Sequence, residues 1–163
     1  MKKELFSTNR TKGFSLVEVL LAGTILAILS SAMISAAIYG RETSVLAGYR
    51  SRAVLLAEEG LEAVRFMRDQ SWDNNIALVP LDVPFYLVFN NGWFLDAVPP
   101  SPDVFTRTVT FSAANRDPLD NIVAIGGTPD PDTRLVTISV SWQGKNGIIT
   151  KNVKTYITDI FQN

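Results

Sequence analysis

The chain has 163 residues, 15 basic against 16 acidic side chains, and neither cysteine nor histidine. That length allows one modest domain. The missing residue types exclude disulfides, thiolate metal sites and a cysteine nucleophile, and they remove the commonest general base and metal ligand. Near-neutral charge hides an asymmetry. Without residues 1–13, which carry four basic side chains and one acidic, 11 basic groups face 15 acidic ones, a net charge of −4. Such a body exerts no general pull on nucleic acid.

Residues 1–12 place Lys2, Lys3, Arg10 and Lys12 just before a long apolar run. Phe14 to Tyr39 contains no proline and is rich in Leu, Ile, Val and Ala. As a helix rising about 1.5 Å per residue it exceeds the roughly 30 Å hydrocarbon core of a bilayer. Basic residues ahead of the span predict a cytoplasmic N-terminus and an extracytoplasmic body. From Gly13 to Gly40, Glu18 is the only carboxylate and no basic side chain occurs. A charge at mid-bilayer costs roughly 2.5–3.5 kcal/mol on insertion scales, so a retained one points to a partner or a job. A secretory signal peptide cut after Ser35-Ala36-Ala37 is the rival reading. Its apolar core is normally shorter than this one, and it gains nothing from Glu18.

The string Lys12-Gly13-Phe14-Ser15-Leu16-Val17-Glu18, followed by the apolar run, resembles the cleavage and methylation signature of type IV prepilins and pseudopilins. The resemblance implies a peptidase cut between Gly13 and Phe14, then N-methylation of Phe14. It also implies that Glu18, fifth in the mature chain, meets the Phe14 ammonium of a neighbouring subunit. Such a pair offsets the burial of both charges and sets axial register. The alternative is that Glu18 snorkels to the headgroups. The helix-bending proline common in major pilins is absent, with Ser35 near its place, which argues against an abundant subunit.

Beyond Gly40 the helical period continues as one stripe: Leu46, Tyr49, Ala53, Leu56, Gly60, Ala63 and Met67. Arg50, Arg52, Glu58, Glu59, Glu62 and Arg65 lie largely off it, as on an amphipathic helix. The stripe ends near Arg68 to Ser71, so one helix over about Phe14 to Met67 is expected, or two helices broken at Tyr39-Gly40. Gly60 weakens it by about 1 kcal/mol relative to Ala unless it permits close packing. From Val79 the period shifts toward two. Phe85 to Phe89, Asn90-Asn91-Gly92 and Trp93 to Leu95 predict a hairpin. Pro99, Pro100 and Pro102 mark a loop. Phe105, Arg107, Val109 and Phe111 alternate with threonines. Asn115 to Asn121 reads as a loop, Ile122 to Ile125 as a short strand, and Gly126 to Thr133 as another loop. Val136, Ile138, Val140 and Trp142 form the clearest one-faced strand, and Ile149, Val153, Ile157 and Phe161 line its return. Helix first and strands after predict an α+β fold, an antiparallel sheet covering the amphipathic half-helix.

Other constellations are weaker. Asp130 and Asp132, near Asp117 and Asp120, offer oxygens to calcium, but the spacing matches no ligand loop and suits turn chemistry. Glu58, Glu59 and Glu62 project in different directions from a helix and read as a solvated face with Arg65 and Arg68. Trp72, Trp93 and Trp142 with Phe85, Tyr86 and Phe94 read mostly as core, Trp93 and Phe94 being the exposed candidates. Lys145, Lys151 and Lys154 are the only candidates for a nucleic-acid patch.

The expected organisation is a leader at 1–13, a membrane and filament-core helix at 14–40, and an extracytoplasmic pilin-like α+β domain at 41–163. The resemblance implies a structural subunit, a minor pilin or pseudopilin, and no enzyme. Its implied partners are other pilin subunits, the prepilin peptidase and methyltransferase, the motor ATPase and the membrane assembly platform. No cofactor is implied; S-adenosylmethionine belongs to the methylating enzyme. A DNA-uptake pseudopilin and an uncleaved single-span anchored protein are the alternatives.

Overall fold

The computed structural model describes residues 13–100 and 103–160; the leader expected before Gly13, Pro102 and Phe161 lie outside them. In chain order the elements are α1 (Leu16–Gln70), a π-helical turn (Asp73–Ala77), β1 (Pro84–Phe89), β2 (Trp93–Asp96), β3 (Phe105–Arg116), β4 (Ile122–Val123), β5 (Thr128–Gly144) and β6 (Gly147–Thr158). The chain divides into two compact units, one up to Leu46 and one from Ala47. α1 contributes to both and runs through Gly40 without a break.

The first unit is helical wherever it is described beyond Ser15, and its apolar side chains are exposed apart from the half-buried Leu46. Its polar side chains turn inward on their own helix. The hydroxyls of Thr24, Ser31 and Ser35 donate to the carbonyls of Leu21, Ile28 and Ser31 at 2.8–2.9 Å. No hydroxyl among these needs water, as a helix in lipid requires.

The second unit is α+β: the C-terminal half of α1 packs against a six-stranded antiparallel sheet of order β2-β1-β3-β5-β6, with β4 paired to β3. The helix buries Ala53, Ala57, Gly60, Ala63, Val64 and Met67. Steps of four and three keep these on one face, and nearly all are small, so the backbone approaches the sheet closely. At Gly60 a Cβ would stand 3.0 Å from Ile138 Cγ2 and 3.2 Å from Arg107 Cδ. The sheet meets this face with Leu87, Phe105, Val109, Phe111, Val136, Ile138, Val140, Trp142 and Ile157, all buried. Each fully buried aliphatic contributes about 1.5–3 kcal/mol relative to exposure. Phe105, Val109 and Phe111 alternate with threonines because a strand turns successive side chains to opposite faces.

Arg107 occupies a core-facing register on β3 and resolves its charge at the helix. Its guanidinium donates to the Leu56 carbonyl at 3.1 Å, pairs with Glu59 at 3.2 Å and lies 5.2 Å over the Trp93 ring. At its C-terminus α1 is closed by Ser71 and by Asn75, whose amide donates to the Met67 carbonyl at 2.9 Å. The π-helical turn that follows buries Ile76, and Trp72 beside it lies under Arg134. The tryptophan-bearing stretch that breaks the helical pattern is thus a second anchor for the sheet.

The Asn90-Asn91-Gly92 hairpin forms as expected, with Phe89 paired to Trp93 and Asn91 at φ 57°. Two loop expectations are corrected. β3 continues to Arg116, and β5 begins at Thr128 and not after Thr133. Pro129 and Pro131 favour turns locally, but a register shift between Ala113 and Ala114 takes up Pro131, Asp132 and Thr133. β6 pairs only from Thr133 onward, so both prolines lie where β5 has a neighbour on one side. Arg116 locks this segment. It donates to Asp130 at 2.6 Å, to the Asp120 carbonyl at 2.9 Å and to the Thr133 hydroxyl at 3.3 Å. That bond to Arg116 holds the Asp130 carboxyl below the usual carboxylate range, the Thr133 hydroxyl adding to it.

Gly60→Val in a fragment from Arg41 to Asn163 should lower unfolding stability by about 1–3 kcal/mol through overpacking against Ile138. Gly48→Ala, where a Cβ meets nothing within 4 Å, should raise it by up to about 1 kcal/mol. Denaturant titration of this fragment measures both.

Asp130→Asn should lower stability at neutral pH. A carboxylate whose folded pKa is depressed contributes above its unfolded value, roughly 3.9, and loses that contribution as pH falls through the folded value. Arg116 stays protonated in both states throughout the acid range. Denaturation midpoints of wild type and variant should therefore converge below about pH 4; a gap that persists unchanged into strong acid would contradict the pairing.

Candidate functional site at the helix start

The residues singled out at the N-terminus sit at the start of the helix. Gly13, Phe14 and Ser15 are non-helical, and α1 begins at Leu16. The Ser15 carbonyl accepts from the backbone N–H groups of Glu18 at 3.0 Å and Val19 at 3.2 Å, which makes Ser15 the capping residue. Ser15 and Glu18 have the spacing of a capping box, and Glu18 places its carboxylate in the first turn, at the positive end of the helix dipole. Local chemistry thus favours starting the helix here, with the non-helical pair Gly13 and Phe14 ahead of it.

That pair is open to an enzyme. A Cβ added at Gly13 would meet nothing within 4 Å, and Phe14 is 83% exposed. Nothing in the described chain shields the Gly13–Phe14 bond. Behind it, α1 is long and apolar enough to cross a membrane, with a mean hydropathy of 2.1 over 18 residues, none of them buried. Crossing needs about 20 residues, so fewer than half of the helix's 55 suffice.

The remaining candidates are not brought to this place. Asp130 is held by Arg116 and accepts from the Asp132 backbone N–H at 2.9 Å. Among the described residues no three carboxylates gather as a metal site would require. Glu59 and Glu62 diverge, the one to Arg107 and the other to Arg65. Trp142 and Trp72 are core; Trp93 is half-buried under Arg107, and Phe89, unremarked in the sequence, is the more exposed ring of that hairpin. Lys151 pairs with Val140 and Lys154 with Thr137, residues on opposite faces of the sheet, so these lysines form no common patch. Sequence reasoning missed the roles of Arg107 and Arg116. An arginine at a core-facing register of an alternating strand was the available signal for Arg107.

Comparison with protein families matches residues 8–34 to the prokaryotic N-terminal methylation motif. Comparison with curated proteins and with solved structures gives no match. The matched residues run from ahead of the Gly13–Phe14 bond, across the capped helix start, into the exposed apolar helix. This N-terminal segment carries a type IV prepilin-like signature, and joined to a pilin-like α+β fold it supports a type IV pilin- or pseudopilin-like protein.

Proposed function

We propose that this protein is a structural subunit, of the minor kind, in a type IV pilus or a secretion-type pseudopilus. A prepilin peptidase cuts between Gly13 and Phe14 at the cytoplasmic face, and the new amino group of Phe14 is methylated. α1 anchors the subunit in the membrane with its N-terminus cytoplasmic and its sheet domain outside. Assembly then moves the helix from lipid into a bundle of like helices, driven through a membrane platform and a motor ATPase. The chain itself performs no catalysis.

The observation that carries this reading is the methylation motif lying across the start of an apolar, unburied helix with Glu18 in its first turn. Glycine suits the cut because an extended backbone without a side chain enters a narrow site. Methylation leaves the Phe14 amine cationic. In the bundle Glu18 pairs with that ammonium on a neighbour, which offsets the burial of both charges and keeps smooth apolar helices from sliding. The minor assignment draws on the absence of a helix-bending proline between Phe14 and Tyr39.

Glu18→Val should insert and be cut as the wild type is, because the change lies beyond the scissile bond and far from the sheet domain. Its ratio of subunit in sheared filaments to subunit in membranes should fall by roughly tenfold or more, the factor set by ~1.4 kcal/mol of lost pairing. Quantitative immunoblots of the two fractions measure it. Equal ratios would leave Glu18 as a residue that merely reaches the headgroups.

A further inference from the structure

Two stretches of the second unit carry cations and no carboxylate. Ala47 to Ala57 holds Arg50 and Arg52; Thr133 to Thr158, which includes all of β6, holds Arg134, Lys145, Lys151 and Lys154. The fold brings the two together at one corner. β5 runs against the direction of α1, with Ile138 facing Gly60 and, further along, Trp142 lying 5.9 Å from Phe105. Phe105 in turn meets Tyr49 at 5.9 Å and the Arg52 guanidinium at 5.4 Å. Phe105, Trp142 and Ile149 form one cross-strand row, so the β5–β6 turn with Lys145 projects past it, toward the end at which α1 enters the unit. Lys151 stands opposite Val140 on the helix side of the sheet, and Lys154 opposite Thr137 on the other side.

Elsewhere in the unit Arg65, Arg68, Arg107 and Arg116 each have a carboxylate partner, whereas Arg50, Arg52 and Lys151 make no ion pair among the described residues. Asp103, just ahead of Phe105, is the acid that neighbours this corner in sequence. Apolar groups stand exposed among the cations, Tyr49 at 38% and Ile148 at 74%. Cations around an exposed aliphatic and a tyrosine match the edge of a bilayer, where phosphates lie above acyl chains. Such a surface is within reach. The apolar run ends at Tyr39, eight residues before Ala47, which is at most about 30 Å even for a fully extended chain. Nucleic acid is a poorer match, because from Ala47 onward 10 basic groups face 13 acidic ones. We propose that this corner rests on a surface of anionic phospholipid, with Arg50, Arg52, Lys145 and Lys151 at the headgroups and Tyr49 and Ile148 at their apolar edge. The proposal rests on α1 spanning a membrane and not on filament assembly.

The chain has no cysteine, so a single thiol can be placed at will. The full chain with Asn146→Cys, labelled with a polarity-sensitive dye, is reconstituted into vesicles of phosphatidylcholine alone or in equal mixture with phosphatidylglycerol, both carrying a headgroup-level lipid quencher. Both leaflets share one composition, so the direction of insertion is immaterial. The dye should be quenched on the mixed vesicles and far less on the neutral ones, and concentrated salt should abolish the difference. Arg50→Gln and Lys151→Gln should each lower the docked-to-undocked ratio about fivefold, the factor for one cation near an anionic surface. Lys154→Gln, the same change on the other side of the sheet, should leave it unaltered. The dye at Leu119→Cys, exposed in the loop between β3 and β4, should stay unquenched. Equal quenching on neutral and mixed vesicles, no quenching on either, or an equal loss from Lys154→Gln would overturn the proposal. So would a stronger dye response to duplex DNA than to mixed vesicles at matched phosphate, which gives the corner another occupant. Alkaline extraction separates the docking from the span. Protein retained in the vesicles without quenching refutes the docking and leaves the span standing, whereas protein stripped from them counts against both.

Discussion

The close approach of α1 to the sheet at Gly60 is the contact on which the rest of the second unit depends. With Ile138 Cγ2 only 3.0 Å from where a Cβ would stand, the helix axis is so close that even an alanine would require Ile138 and Arg107 to give by a few tenths of an ångström. That distance lets Ala53, Ala57 and Ala63 reach full burial against Val109, Phe111, Val136 and Val140. It also brings Arg107 within reach of the Leu56 carbonyl and Glu59. A glycine costs about 1 kcal/mol in helix propensity, and the packing it permits along the sheet is worth several times that. The position reads as a weak point in an isolated helix and as the seat of the core in the folded domain.

A single helix therefore carries two kinds of apolar surface. From Ala53 to Met67 the buried residues are small and one-sided, matched to a sheet that the chain supplies. From Phe14 to Tyr39 large residues, among them Leu20, Ile25, Ile28 and Met33, are exposed on every side, and no part of the described chain covers them. Leucine and isoleucine spread around a helix are costly in water, and by length and composition this surface is a candidate to cross a membrane. In the proposed function it serves both in turn, which is why the polar groups along it are either satisfied within the helix or, as with Glu18, placed at its start. Such a molecule works by changing what surrounds one helix. In that proposal its side surfaces matter for how subunits stack.

Much of this was legible in the residues because the relevant signals are local. The end of α1 near Gln70, the Asn-Asn-Gly hairpin and the inward face Val136, Ile138, Val140 and Trp142 all follow from spacing within a few residues. The helix-start site was legible for the same reason, since Gly13, Phe14, Ser15 and Glu18 form one short string. What was not legible depends on partners distant in sequence. Thr128 to Asp132 has turn chemistry, yet it is drawn into β5 by Arg116 on another strand. Ala57 and Val64 belong to the buried face because the helix sinks deeply enough for a broad stripe, which a single-residue stripe read from spacing does not capture. The π-helical turn exists because Ile76 and Trp72 find the core, not because its sequence favours that geometry. The cationic corner beside Phe105 joins residues from Tyr49 to Lys151, and no motif announces it.

The chemical identity of the N-terminus after biosynthesis tests the pilin-like role most directly. Intact-mass spectrometry of the protein recovered from its own cells, with fragmentation of its first residues, reads that identity. The account predicts a chain that begins at Phe14, bears one methyl group on its amine and retains every residue to Asn163. A chain that begins at Ile38 would show that the apolar helix is a discarded signal peptide, and a chain that retains Gly13 and the residues before it would show an uncleaved anchor. Either result would contradict the central claim.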